Sequence, residues 1–301
     1  MRGYKFIITV MAKKIFFIGL ILCGVLLFTF CDFKNNKTGN NAKREITSDS
    51  LYPNFNTLVW SDEFNFNGTI DSTKWFHQIQ LPPWGSWWGG IIQHYTDRED
   101  NSYVKDGYLH LVSKKEVLET QGEIKEYTSA RLNSKFAFTY GCVEVRAKMP
   151  KGIGTWPAIW MLNTNIDEDG AYWDNEGYGT VKWPNCGEID ILEHWGKNQD
   201  YISSALHTGS SYGHEVANVD GRTIENVSDE FHIYTMEWTK EKIVFSVDGI
   251  SHYEYNPSIK NNDTWPFDND YYFILNIAIE PDIDPAFIES AMVVDYIRVY
   301  Q

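Results

Sequence analysis

Three carboxylates fall within six residues of the segment GEIDILEHWG, residues 187–196: Glu188, Asp190 and Glu193. Glu188 and Asp190 lie two apart, so a strand projects both from one face and Ile189 from the other. A regular strand would put Leu192 next on that face and drive Glu193 into the core. An unpaired carboxylate costs several kcal/mol there. One extra residue removes the conflict. A β-bulge at Ile191-Leu192 returns Glu193 to the face of the other two acids and leaves the aliphatic side chains for the core.

A row of this kind has the equipment to cut a glycosidic bond with retention. That reaction needs two carboxyl groups about 5–5.5 Å apart, one a nucleophile and one a proton donor to the leaving oxygen. After a bulge the Cα atoms of Glu188 and Glu193 are ~13 Å apart along the strand. Two Glu side chains leaning inward over a curved sheet close most of that gap. Asp190, between two other carboxylates, is expected to share a proton and to split their pKa values. The plain alternative is a solvent-facing acidic strand. Three neighbouring acids on one face repel, however, and such a strand ordinarily alternates sign.

Strands are the elements available to position this row. Tyr108–Ser113 and Cys142–Lys148 alternate apolar and polar residues. Phe231–Trp238, Ile243–Val247 with an Asp248-Gly249 turn, Tyr272–Ala278 and Val293–Tyr300 have the same β-branched and aromatic character. No long amphipathic helix is evident. Short strands over ~250 residues, joined by Gly, Asn, Asp and Pro turns, predict an all-β antiparallel sandwich or barrel. Segments 76–100 and 163–185 lack such patterning and are expected to be functional loops.

The chain carries 12 Trp, 18 Tyr and 17 Phe in 301 residues, with a formal charge of −15. Such a charge repels a phosphate backbone, which excludes nucleic acid as the natural partner. Abundant flat rings suit the apolar C–H faces of neutral sugars. Trp156 and Trp160, four apart in GTWPAIWML, share a strand face and are candidate sugar platforms. Trp84, Trp87 and Trp88, in the loop PPWGSWWGG, are further candidates. Core packing is the competing use of every one of these rings.

The first 30 residues read as an address. Arg2, Lys5, Lys13 and Lys14 precede an apolar run, Ile15 to Phe30, too short to span a bilayer and flanked like a signal peptide. Met11 offers an alternative start. Cys31 closes the run ahead of a polar stretch, residues 32–50, in the manner of a lipidated cysteine on a flexible tether. The expected organisation is signal 1–30, tether 31–50 and one catalytic domain 51–301, placed outside the cytoplasm. It touches a membrane only through that anchor, or is secreted. Cleavage removes four positive charges and takes the formal charge from −15 to −19. Cys142 and Cys186 remain in the domain, and sequence leaves their pairing open.

The segment GEIDILE resembles the bulged E-x-D-x-x-E signature of glycoside hydrolase family 16, in the form typical of bacterial laminarinases and related β-glucanases. LVWSDEFN (58–65), YGCVEVRAKMPKGIGTWPAIWML (140–162), SALHT (204–208) and VVDYIRVYQ (294–301) resemble further landmarks of the family in the same order. The resemblance implies a β-jelly-roll sandwich with a concave cleft, acting as a monomer. It makes Glu188 the nucleophile, Asp190 its helper and Glu193 the acid/base, with no metal cofactor in catalysis. It also implies substrate contacts for Trp156, Trp160 and His207, the last with a hydrogen-bonding role near the acid/base, and for Arg131, which matches a second family arginine. Many members hold a structural calcium, for which Glu63, the Gly107 carbonyl and Asp295 would be the ligands.

Two departures bear on specificity. Gly89-Gly90-Ile91 stand before Gln93-His94-Tyr95-Thr96, where laminarinases usually carry Asn-Asn-Glu, and Cys142 stands where an arginine is common. The implied substrate therefore widens from strict β-1,3-glucans to mixed-linkage β-1,3-1,4-glucans. The rivals are a family relative cutting agar or carrageenan and a non-catalytic glycan-binding lipoprotein.

Overall fold

The computed structural model describes residues 54–301, and the expected signal, tether, Met11 and Cys31 lie outside the described residues. Alternating apolar side chains pair the strands into two sheets. In the seven-stranded sheet the order is Val219–Thr223, Tyr201–His207, Glu188–His194, Thr155–Asn163, Tyr271–Ile279, Arg131–Phe138 and Trp75–His77. All its neighbours are antiparallel. The ten-stranded sheet is built around Gly141–Lys148, flanked by His232–Trp238 and the long strand Glu289–Tyr300. A short parallel pairing of His94–Tyr95 with Glu123–Ser129 closes one of its edges.

Between the sheets lies one large apolar core. Ile189, Ile191 and Leu192 enter it from the seven-stranded sheet, and Val143, Val145, Tyr234, Met236 and Ile297 from the ten-stranded one. Of the sandwich or barrel that the strand pattern predicts, this is the sandwich, in the jelly-roll form that the family resemblance implies. The patterned strands are found, and Tyr108–Thr120 runs seven residues beyond the predicted Ser113. Strands Arg131–Phe138 and Tyr201–His207 were not called from sequence. They are buried on both faces for most of their length and so lose the period-two signal.

Segments 76–100 and 163–185 are mostly irregular, with a one-turn helix at Tyr172–Asn175. Cys142 is buried beside Phe55 and Tyr300, whereas Cys186 packs with Leu162, Ile166, Tyr272 and Ile274. Both are free thiols, which answers the open question of their pairing. No helix among the described residues is long and apolar enough to cross a membrane.

Candidate active site

The acid row sits on Glu188–His194, near the middle of the seven-stranded sheet. Gly187 starts it from a turn with φ +80°, and a Cβ there would lie 2.2 Å from the Tyr271 hydroxyl, so only glycine fits. Asp190 pairs with Trp160 and with Ala205; the next pairs are Leu192 with Ile159 on one side and Glu193 with Ser203 on the other. The register shift is the bulge expected at Ile191-Leu192. With Ile189, Ile191 and Leu192 in the core, the three acids share the opposite, outer face.

Each glutamate is held by an indole. Trp183 Nε1 donates to Glu188 Oε2 at 2.9 Å, and Trp156 Nε1 donates to Glu193 Oε1 at 3.0 Å. Asp190, 3% exposed, lies between them. Facing the row from the neighbouring strand, His207 Nε2 lies 3.3 Å from Asp190 Oδ2 and 3.5 Å from Glu188 Oε1.

Burial, followed by the charge of Asp190, pushes Glu188 up to about 8. Glu193 is raised well above its ordinary value by the same two causes, with Glu188 adding to them. His207, the Trp183 N–H and Arg131 favour the ionised form of Glu188, whereas His207 and the Trp156 N–H alone do so for Glu193. Glu188 therefore ionises first and Glu193 keeps its proton longer, the division of labour a nucleophile and a general acid require.

Burial alone would lower His207, but hydrogen bonding to Asp190 and the surrounding carboxylates pull it upward, toward about 9. The Gly213 N–H opposes that pull, because it donates to His207 Nδ1 at 3.1 Å. A proton on Nδ1 would then face a second donor. Carboxyl groups that hold their own protons also pull less on the ring. The neutral ring with its hydrogen on Nε2, aimed at Asp190 and Glu188, satisfies both sides. At pH 7, ¹⁵N spectra of the His207 ring are expected to show Nε2 protonated and Nδ1 bare. Two protonated nitrogens would contradict this reading.

Aromatic rings surround the row. Trp156 is half-buried and stacks on Trp195, centroids 5.6 Å apart and planes 23° apart. Half-buried Trp160 is fixed by its Nε1, which donates to Asn276 Oδ1 at 2.7 Å. On the other side, exposed Trp183 meets exposed Tyr212 edge-on. Trp88 and Trp84 are exposed at the entry loop, where a Cβ on Gly89 would sit 3.4 Å from the Trp156 ring. The loop therefore passes over the platform next to Glu193. Two indole-held glutamates flanking a buried aspartate, among half-exposed rings, form a site for cutting sugar chains.

Residues 94–297 match the model of Glycosyl hydrolases family 16. The chain belongs to this family. A β-glucanase of Rhodothermus marinus is 38% identical over 261 residues, covering 81% of this chain and 85% of that protein. The crystal structure of LamAcat from Zobellia galactanivorans is similar with a TM-score of 0.76 at 44% identity, over 82% of this chain and 98% of that one. A mutant of SCLam, a non-specific endo-β-1,3(4)-glucanase, solved with 1,3-β-D-cellobiosyl-glucose at its active site, is similar with a TM-score of 0.73 at 34% identity, over 84% of this chain and 96% of that one.

Two residues expected to touch substrate in this family 16 chain do not line the cleft. Trp87 is 2% exposed and packs with Leu81, Ile91, Tyr95 and Ala278. Loop composition cannot separate it from exposed Trp88, because burial depends on which ring turns toward the sheet below. Arg131 is buried too. Its guanidinium donates to Gln78 and pairs with Glu168 at 2.9 Å, and it lies 5.4 Å from the Trp87 ring and 4.9 Å from that of Trp160. It supports the Trp160 platform from beneath and does not reach into the cleft.

Sequence reasoning passed over Trp183, Trp195, Tyr212 and Asn276. The first two had a usable signal, since each is a tryptophan within five residues of the acid row.

The expected calcium donors do come to one corner of the ten-stranded sheet. Asp62 pairs with Ile297, which puts Glu63 beside Tyr296, and Leu109 pairs with Val294, which puts Asp295 near Gly107. Both carboxylates already have a cationic partner, however. Arg298 grips Glu63 with two 2.8 Å bonds, and Arg146 meets Asp295 at 2.5 Å. A calcium ion held by these donors would compete with two guanidinium groups for the carboxylates. Glu188, Asp190 and His207 bring three ligating atoms within 4.8 Å of one another; the neutral His207 ring expected above would place its Nε2 hydrogen in that space.

Proposed function

We propose that this family 16 enzyme is an endo-acting, retaining β-glucanase of the laminarinase-like type, cutting neutral β-1,3- and mixed-linkage β-1,3-1,4-glucans. The observation that carries this reading is the pair of glutamates, each held by its own indole on either side of buried Asp190, in a cleft walled by tryptophan. In the first step Glu188 attacks the anomeric carbon as the C–O bond breaks, and Glu193 gives its proton to the departing oxygen. In the second, Glu193 takes a proton from water, which displaces Glu188 from the glycosyl-enzyme. Asp190 and the His207 Nε2–H keep Glu188 oriented and limit the negative charge of the row.

Aromatic walls favour a neutral chain, which supports glucans over sulfated galactans. Arg131, the guanidinium beneath Trp160, is engaged by Glu168 and offers nothing to a sulfate. Presence of all three acids supports an enzyme over a glycan-binding protein. The polymer is too large to enter a cell, so the domain works outside the cytoplasm. A signal over residues 1–30 and a lipid on Cys31, with residues 31–50 as tether and 51–301 as the catalytic unit, remain part of this proposal, as does a monomeric state.

The test is a product profile on laminarin, barley mixed-linkage glucan, lichenan and agarose, with proton NMR of the first-formed anomer. New reducing ends of β configuration from laminarin and the mixed-linkage glucans are expected. First-formed α anomers, or cleavage of agarose alone, would overturn the assignment.

A further inference from the structure

The bulge that turns Glu193 outward has its own support. On strand Tyr201–His207, Asp190 pairs with Ala205 and Glu193 with Ser203, so Ser204 alone faces both Ile191 and Leu192. Ile191 has no partner in the ladder on either side. Its buried carbonyl needs a donor from elsewhere. The Ser204 hydroxyl supplies it, donating to the Ile191 carbonyl at 2.8 Å. Ser204 Oγ in turn lies 2.9 Å from His252 Nε2. The single hydroxyl hydrogen goes to Ile191, so the histidine nitrogen is the donor in that second bond. His252 belongs to Ile250–Tyr255, a strand at the edge of the other sheet. Burial, helped by Arg222 and opposed by Asp220, lowers its pKa to about 4 and keeps the ring neutral.

We propose that Ser204 and His252 are positioning residues that pin the bulge and so hold Glu193 on the cleft face. A hydrogen-bonded chain runs from one sheet to the other and ends on the backbone two residues ahead of Glu193. Ser204 is 0% exposed, and an alanine would fill its place equally well if packing were its purpose. Without the hydroxyl, the Ile191 carbonyl is left unsatisfied, and the strand can recover regular pairing only by turning Glu193 toward the core. This inference rests on the reading of Glu193 as acid/base.

The experiment compares Ser204→Ala, His252→Phe and the double variant by kcat, KM, pH profile and thermal unfolding on laminarin. Ser204→Ala is expected to lower kcat about 10-fold with KM within about twofold, since a misplacement near 1 Å can cost 10²-fold. The alkaline limb of kcat/KM is expected to move to higher pH. In the native site Asp190 and Glu188, on its own strand, help hold the Glu193 proton, while His207 and the Trp156 N–H on the flanking strands oppose them. A Glu193 turned toward the core leaves both pairs and is buried more deeply, and burial is the largest of the causes that hold its proton.

His252→Phe should act in the same direction and less strongly. The double variant should be no worse than Ser204→Ala, because both substitutions break one chain. Wild-type kcat in Ser204→Ala, or a loss that matches the fraction unfolded with the alkaline limb unmoved, would overturn the proposal. If Ser204→Ala does not fold, the limb in His252→Phe decides, its ring being partly exposed. Full activity in Glu193→Ala would overturn the acid/base reading itself. Inactive Glu193→Ala beside an unmoved Ser204→Ala limb would overturn only the positioning role.

Discussion

Glu188→Ala is expected to lower kcat on laminarin by on the order of 10⁴-fold, with substrate binding and fold retained. An indole N–H, an imidazole and a nearby guanidinium all favour this carboxylate in its charged form. Without it no glycosyl-enzyme forms, and the rings that hold the sugar are untouched. Isothermal titration with laminarin oligosaccharides should return an affinity within a few-fold of wild type. Full residual turnover would end the assignment.

The isosteric Glu188→Gln adds a stability readout with a defined sign. Burial raises this carboxyl from 4.5 to about 8, so the folded state binds its proton more tightly than the unfolded chain does. Its contribution is complete below about 4.5 and is lost as pH rises through about 8. Glu188→Gln removes the cost of ionising a buried group. Its unfolding temperature relative to wild type should therefore improve from pH 5 to pH 9, and a gap that stays flat across that range would contradict the burial argument.

Glu193→Ala is expected to lower kcat on β-glucans by about 10²- to 10⁴-fold and to remove the alkaline limb of the pH profile. In the wild type Glu193 must be protonated to act, and its pKa is held well above the ordinary value by burial and Asp190. Activity falls as pH rises through that value; without the residue, nothing remains to titrate on that side. Aryl glucosides with good leaving groups need little protonation, so the first step should survive on them. Added azide should then attack the glycosyl-enzyme without a base and yield a β-glycosyl azide. Formation of the α-azide instead would exchange the roles of the two glutamates.

The acid row was legible because its logic is local. Period-two geometry sends Glu193 to the wrong face, and one extra residue corrects it, so the bulge follows from GEIDILE without any knowledge of the neighbours. Alternating strands such as Gly141–Lys148 were visible for the same reason. Strands Arg131–Phe138 and Tyr201–His207 were not, because burial on both faces erases alternation. The entry loop gave three tryptophans of equal standing, yet Trp87 is 2% exposed and Trp88 45%.

By itself the sequence determined an all-β chain, the acid row with its bulge, and chemistry suited to a neutral sugar polymer. Those features depend on side-chain spacing within single strands. Tertiary structure alone decided that Arg131 braces Trp160 from below, that Trp183 and Trp156 each hold one glutamate, and that Ser204 and His252 meet the bulge. Each of these depends on groups brought together across strands or sheets, and spacing along the chain carries no record of such distances.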